Sequence, residues 1–224
     1  MTALAFDVYG TLIDTAGVTT SLRSLVGDKA SQFSDLWRLK QLEYTWRYGL
    51  MGTYRNFRVC TRQALDLCCQ HLGCELSDQD KAVLMQNYLE LPVFDDVQEA
   101  LQRLKDGGIP MYAFSNGVPE DLEKLLKHAQ IIDFMDGIIS VDDKQTFKPD
   151  PATYLHCVDK TGTSPQETWL VSSNGFDVCG AKAAGMQAMW VHRNPGIKFD
   201  HWEVEFKADK EVLKFGQVAD YFVN

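Results

Sequence analysis

The chain has 224 residues, 45% of them hydrophobic and 24% charged, enough apolar mass for one large domain or a main domain with a smaller insertion, and too much for a disordered chain. With 31 acidic against 22 basic side chains the formal charge is −9, which argues against a general nucleic-acid or anionic-membrane surface and makes individually placed Arg and Lys residues informative. No apolar run approaches the ~18 residues a membrane span needs, and the opening segment lacks the basic start and long apolar stretch of a secretion signal, so a cytoplasmic protein is expected. Cys60, Cys68, Cys69, Cys74, Cys157 and Cys179 match no zinc or redox spacing and read as small core residues in a reducing compartment.

In chain order, short apolar runs alternate with amphipathic stretches, the rhythm of a parallel α/β sheet. Leu4 to Asp7 reads as a first strand, Ile109 to Phe114 as a second, Gly137 to Val141 as a third, Thr168 to Val171 as a fourth and Ala188 to His192 as a fifth. Between the first two strands the pattern is helical without a convincing strand. Asp35 to Tyr48 carries Leu39, Leu42 and Trp46 at helical spacing, Asn56 to Leu72 follows, and Ser77 caps a helix to Leu89. Asp95 to Lys105 leads into the second strand, ending at Gly107-Gly108, and Pro119 to Lys127 follows that strand. Asp150-Pro151 is an N-cap followed by proline at the first helical position, and Asn174 to Gly185 forms the last helix read. The division expected is a core of residues 1–15 and 93–224 with a helical cap of residues 16–92. Such a cap would lie over the carboxyl ends of the strands, where open α/β sheets bind ligands.

Polar residues cluster at those strand ends. Asp7 closes the first strand ahead of Val8-Tyr9-Gly10-Thr11, Ser115-Asn116-Gly117 closes the second, and Ser172-Ser173-Asn174-Gly175-Phe176-Asp177 closes the fourth. Lys148 precedes the Asp150-Pro151 helix start. Each has an ordinary reading as well: a capping Asp or Asn, a simple turn, an exposed loop lysine. A carboxylate beside a lysine is held ionised and aligned, and backbone N–H groups at a helix start suit a carboxylate or phosphate.

Together, in this order, these four segments resemble the motifs of the haloacid dehalogenase superfamily, and the helical insertion resembles its cap. The resemblance implies a Rossmann-like parallel-sheet core of that type, with Asp7 as a carboxylate nucleophile. Most superfamily members are magnesium-dependent phosphatases with a second Asp two residues after the nucleophile. Here that position is Tyr9, which has the wrong pKa to protonate a leaving alkoxide. The last segment offers one acid, Asp177, among Ser172, Ser173 and Asn174, a poor set for a hard cation, so no metal and no cofactor are expected.

Both departures resemble the L-2-haloacid dehalogenase branch. The run Trp37-Arg38 to Tyr44 is similar to that family's first cap helix, which implies that Arg38 receives the halide, with Leu42 on its face. Without the resemblance, Arg38 reads as a surface residue of an amphipathic helix. Phe57 and Phe176 resemble aromatics of the halide pocket, though Phe57 reads equally as core and relatives tend to carry Trp in place of Phe176. The resemblance implies that Ser115 and Asn116 hold the substrate carboxylate, that Thr11 fixes the Asp7 loop, and that Ser172, Asn174 and Lys148 orient Asp177. Tyr154 matches a supporting position, with plain helix packing as the alternative. The expected reaction is hydrolysis of L-2-haloalkanoic acids to D-2-hydroxyalkanoic acids and halide; the alternative is a magnesium-dependent phosphatase. A small 2-haloacid and halide are the expected ligands, with neither nucleic acid nor membrane, and the family's habit of forming a homodimer leaves that assembly open.

Overall fold

The computed structural model describes residues 2–194, 196, 198–199 and 206–223. Among these, six parallel strands form one sheet: β1 Ala3–Asp7, β2 Met111–Ser115, β3 Gly137–Ser140, β4 Thr168–Ser172, β5 Gln187–Val191 and β6 Lys210–Val212, in the order β3-β2-β1-β4-β5-β6. This is a doubly wound α/β fold, as the sequence predicts. β1 is fully buried because strands flank it and helices cover both faces, which is why it reads as a continuous apolar run rather than an alternating one. The strand order reverses around β1, opening a crevice at the carboxyl ends of β2, β1 and β4, where Asp7, Ser115 and Ser172 stand.

Four helices lie between β1 and the core helices: α1 Val18–Val26, α2 Ala30–Met51, α3 Phe57–Leu72 and α4 Asp78–Asn87. Asn56 caps α3 by accepting from the Val59 amide, and Ser77 with Asp80 closes a reciprocal capping box on α4. They share a core in which Phe33, Trp37, Cys60, Leu65 and Leu84 are fully or almost fully buried. Aromatic and charged contacts tie them to the rest of the chain. Trp46 donates to the Lys148 carbonyl at 3.2 Å, Tyr54 to Asp142 at 2.5 Å, and Arg58 makes a two-pronged pair with Asp121 at 2.6 and 2.9 Å.

The remaining helices are α5 Val97–Asp106, α6 Pro119–His128, α7 Pro151–Thr161, α8 Gly175–Ala183 and α9 Gly216–Phe222. Asp150 and Pro151 start α7 as predicted, the Asp150 side chain accepting from the Ala152 amide at 2.9 Å. The second strand begins at Met111 rather than Ile109 and extends to Ser115, and the fourth extends to Ser172, so both site serines belong to strands. β6 and α9 have no counterpart in the sequence reading, and α1 was not resolved as a separate helix there. β6 is a three-residue edge strand with two charged residues, and α9 is a seven-residue helix whose burial of Val218 and Ala219 depends on α5 beneath it.

α7 and α8 approach closely at Gly180, where a Cβ would fall 2.3 Å from the Tyr154 hydroxyl oxygen and 2.6 Å from Cε2 and Cζ of its ring. Tyr154 is fully buried and its hydroxyl donates to Asp177 at 2.8 Å. Gly180→Ala is expected to cost about 1–3 kcal/mol of stability by overpacking, read by chemical denaturation, and to lower turnover by displacing Tyr154. An unchanged denaturation midpoint would contradict this packing.

Candidate active site

The turn after β1 sets the position of Asp7. Gly10 adopts φ +84°, which an L side chain rarely takes, and this lets the chain fold back so that the Thr11, Leu12 and Ile13 amides all donate to the Val8 carbonyl. The fold-back brings the Thr11 hydroxyl to Asp7 Oδ2 at 2.7 Å. From β4 and the start of α8, Ser172 Oγ reaches the same oxygen at 3.3 Å and Asn174 Nδ2 at 2.7 Å. Among the described residues Asp7 Oδ1 has a single partner, Lys148 Nζ, at 3.3 Å. The two oxygens are therefore unequal: Oδ2 is saturated by three donors, and Oδ1 keeps lone-pair density to spare.

Lys148 is 1% exposed. Its ammonium also donates to Asp177 Oδ2 at 2.8 Å and to the Phe114 carbonyl at 2.9 Å, and lies 3.9 Å from the Phe114 ring centre. Burial by itself would pull the lysine pKa down, but Asp177 and Asp7 together raise it above its ordinary value. The buried carboxyl of Asp177 is raised by desolvation despite Lys148, and its other oxygen accepts from Tyr154. Tyr154 thus contacts the site directly, which the sequence left open against plain packing. One expectation is corrected: Ser172 and Asn174 orient Asp7, while Asp177 is held by Lys148 and Tyr154. Ser172 ends a strand and Asn174 is the N-cap of α8, so both side chains face β1, whereas Asp177 lies one turn further along.

At the end of β2, Ser115 Oγ accepts from the Gly117 amide at 3.2 Å, and Asn116 Oδ1 accepts from the Lys148 amide at 3.0 Å. That leaves Asn116 Nδ2 without a partner among the described residues. Arg38, half-buried on α2, donates through Nη2 to the Tyr9 carbonyl at 3.2 Å and has no carboxylate partner among the described residues. Tyr9 is buried beside Phe57, their ring centres 5.5 Å apart, and Phe176 meets Trp46 edge-on at 5.4 Å. Leu42, one turn after Arg38 on α2, is half-buried.

A divalent cation bridging Asp7 and Asp177 would have to displace the Lys148 ammonium already between them. The neighbouring donors are a threonine, a serine and an asparagine that spend their hydrogens on Asp7. The donor set does not fit a hard cation, which wants several free carboxylate oxygens.

The model of the haloacid dehalogenase-like hydrolase family matches residues 1–185. The chain belongs to that family. It is 35% identical over 221 residues to an (S)-2-haloacid dehalogenase of Pseudomonas putida, covering 99% of this chain and 96% of that protein. It is 36% identical to haloacetate dehalogenase H-2 of Moraxella sp. (strain B), covering 88% of each. The fold superposes with a TM-score of 0.90 and 31% identity on the L-2-haloacid dehalogenase of Xanthobacter autotrophicus with chloropropionic acid covalently bound, over 98% of this chain and 97% of that one.

Two residues that hold the turn after β1, Arg193 and Ser173, were given no role in the sequence reading. Arg193, just after β5, donates through Nε and Nη2 to the Thr11 carbonyl at 3.0 and 2.7 Å while pairing with Asp96 at 3.1 Å. Ser173 holds the same turn, its hydroxyl donating to the Gly10 carbonyl and its amide to Thr11 Oγ1 at 2.9 Å. Only a basic residue at a strand's carboxyl end hinted at the first, and no sequence spacing connects it to Thr11. Elsewhere, burial raises the thiols of Cys60, Cys68 and Cys157 to about 12.

Because the folded pKa of Lys148 is raised, the stability it contributes is complete below the unfolded lysine value of about 10.4 and is lost only as pH climbs through the higher folded value. Thermal stability followed by circular dichroism should therefore keep its Lys148 contribution to at least about pH 10. In Lys148→Met the alkaline loss assigned to this group should vanish. A wild-type loss centred near pH 9, absent from Lys148→Met, would contradict the arrangement.

Proposed function

We propose that the protein hydrolyses L-2-haloalkanoic acids to D-2-hydroxyalkanoic acids and halide, with Asp7 as the nucleophile. The observation that carries the reading is the unequal loading of Asp7: three donors on Oδ2, one long contact from Lys148 on Oδ1, and Tyr9 where a phosphatase would keep its second acid. Halide departs without a proton, so a site lacking a general acid is adequate for it. The relatives' activity toward (S)-2-haloacids supports the substrate class and the handedness.

In this mechanism Asp7 Oδ1 attacks C2 of the substrate from the side opposite the halogen. The new C–O bond forms as the carbon–halogen bond breaks, the halide leaves with its electron pair, and C2 inverts. Ser115 and Asn116 hold the substrate carboxylate. Arg38, with guanidinium hydrogens unspent, receives the halide as its charge develops, an interaction strongest in the transition state. Tyr9, Leu42, Phe57 and Phe176 supply the apolar wall around the carbon and its halogen.

Water then attacks Cγ of the Asp7 ester. Asp177, whose raised pKa makes it the better base, takes the water proton. The Cγ–Oδ1 bond breaks, Oδ1 takes the proton held by Asp177 and leaves as the hydroxyl of the hydroxyacid, and the Asp7 carboxylate is restored with an oxygen from water, the second water proton passing to solvent. Lys148 steadies both carboxylates, Tyr154 orients Asp177, and Thr11, Ser172 and Asn174 hold the Oδ2 side of Asp7.

The test is halide release from L-2-chloropropionate in excess EDTA at pH 9, beside the D-isomer and p-nitrophenyl phosphate. Release from the L-isomer alone, insensitive to chelation, is expected. Phosphatase activity that appears with magnesium, without halide release, would overturn the reading. Arg38→Ala should lower turnover more for chloro- than for bromo-substrates, because the poorer leaving group depends more on its acceptor. Equal losses would remove Arg38 from that role.

A further inference from the structure

The reacting groups are shut away: Asp7 is 7% exposed, Lys148 1% and Asp177 0%. A haloacid anion needs a passage to them. Two cavities among the described residues share a wall with the site. The first, about 660 Å³, lies between α2 and the 146–151 segment and is lined by Trp46, Leu50, Phe147 and Pro149. It is strongly apolar, and Trp46 closes its inner side by bonding the Lys148 carbonyl and packing on Phe176. A carboxylate in this passage would lose its hydration with nothing offered in return.

The second, about 550 Å³, lies between α3, α4 and α6. Tyr9, Phe57 and Tyr88 line it, as do Arg58, Arg62 and Lys124. Tyr9 is 5% exposed, and its hydroxyl has no hydrogen-bond partner among the described residues. Charges on both sides act on that hydroxyl: Arg38 from the halide side, Arg58 and Asp121 from the cavity side. Burial raises its pKa, so it stays protonated and available as a donor. The Tyr9 ring is thus a partition with a polar edge between the cavity and the reaction chamber.

The cations differ in commitment. Arg62 is shared between Asp66 and Asp78, and Lys124 is exposed with no ion pair among the described residues. Asp121, itself buried, holds Arg58 through Nε and Nη2, which fixes the guanidinium and leaves Nη1 unspent. On a chain of net charge −9, a fixed cation beside a polar partition attracts small anions locally.

We propose that the haloacid anion reaches Asp7 through the cavity between α3, α4 and α6, past Tyr9, with Arg58 as its outer docking residue and Lys124 assisting. The proposal rests on the dehalogenase reading, and assigns Arg58 a specificity role toward anions rather than a part in bond breaking. If the Arg58–Asp121 pair only clamped two helices together, deleting either partner would do the same damage. If Arg58 docks the anion, the two deletions act in opposite directions, because Asp121 partly neutralises it.

The experiment measures steady-state halide release from L-2-chloropropionate at low and high ionic strength, with wild type beside Arg58→Gln, Asp121→Asn, Lys124→Glu and, as a charge-matched control on α6, Lys127→Glu. At low salt, Arg58→Gln and Lys124→Glu are expected to raise KM about three- to tenfold with kcat within about twofold, a difference that shrinks at high salt. Asp121→Asn should lower KM, and Lys127→Glu should leave it unchanged. KM moving the same way in Arg58→Gln and Asp121→Asn, with equal falls in melting temperature, would overturn the proposal in favour of a clamp. Unaltered KM in every variant, with active wild type, would overturn it and spare the dehalogenase reading. Wild type that releases no halide would overturn both.

Discussion

A buried ammonium between two carboxylates is the constraint on which the rest of the site depends. Lys148 is almost fully enclosed and donates to Asp7, Asp177 and the Phe114 carbonyl. An isolated charge at that depth would be prohibitive, and removing one partner from a buried pair commonly costs about 3–5 kcal/mol. The site therefore persists only as a set. Asp7 enters it from β1, Phe114 from β2 and Asp177 from α8, so the charge network also ties three parts of the fold to one point. Tyr154 completes Asp177, and Gly180 gives it the room to do so.

Much of this was legible in the sequence because the physics producing it is local. Parallel strands covered on both faces are continuous apolar runs, so β1 to β5 stand out, and Asp150-Pro151 announces α7 by cap chemistry. The polar residues at three strand ends were visible as departures from those runs. Side-chain direction was not. Asn174 occupies an N-cap position yet makes no cap bond, spending its amide on Asp7 instead, an outcome fixed by a neighbouring strand rather than by its own segment. Arg193 is separated from Thr11 by nearly the whole chain, and β6 and α9 exist because of what they pack against. Such features arise from tertiary contacts that no local pattern encodes.

The seam between helices α1–α4 and the sheet combines two kinds of contact. Trp46 and Tyr54 pair aromatic faces with single hydrogen bonds, while Arg58 and Asp121 bring opposite charges together at a partly exposed edge. The aromatic side borders a strongly apolar cavity that offers a charged group no partner. The charged side borders a cavity and meets solvent, where ion pairs are weak and exchange partners readily. A chamber apolar on one flank and ionic on the other suits a reaction whose reactant and departing product are both anions.

The thiols carry one more consequence. 2-Haloacids are electrophiles, and a cysteine thiolate is a better nucleophile toward them than a carboxylate. An enzyme that accumulates such compounds beside its own nucleophile risks alkylating itself. With burial holding Cys60, Cys68 and Cys157 near 12, only about one in ten thousand of these thiols is ionised at pH 8. The packing that shelters these three thiols from water therefore also protects them from the compounds the enzyme is built to consume.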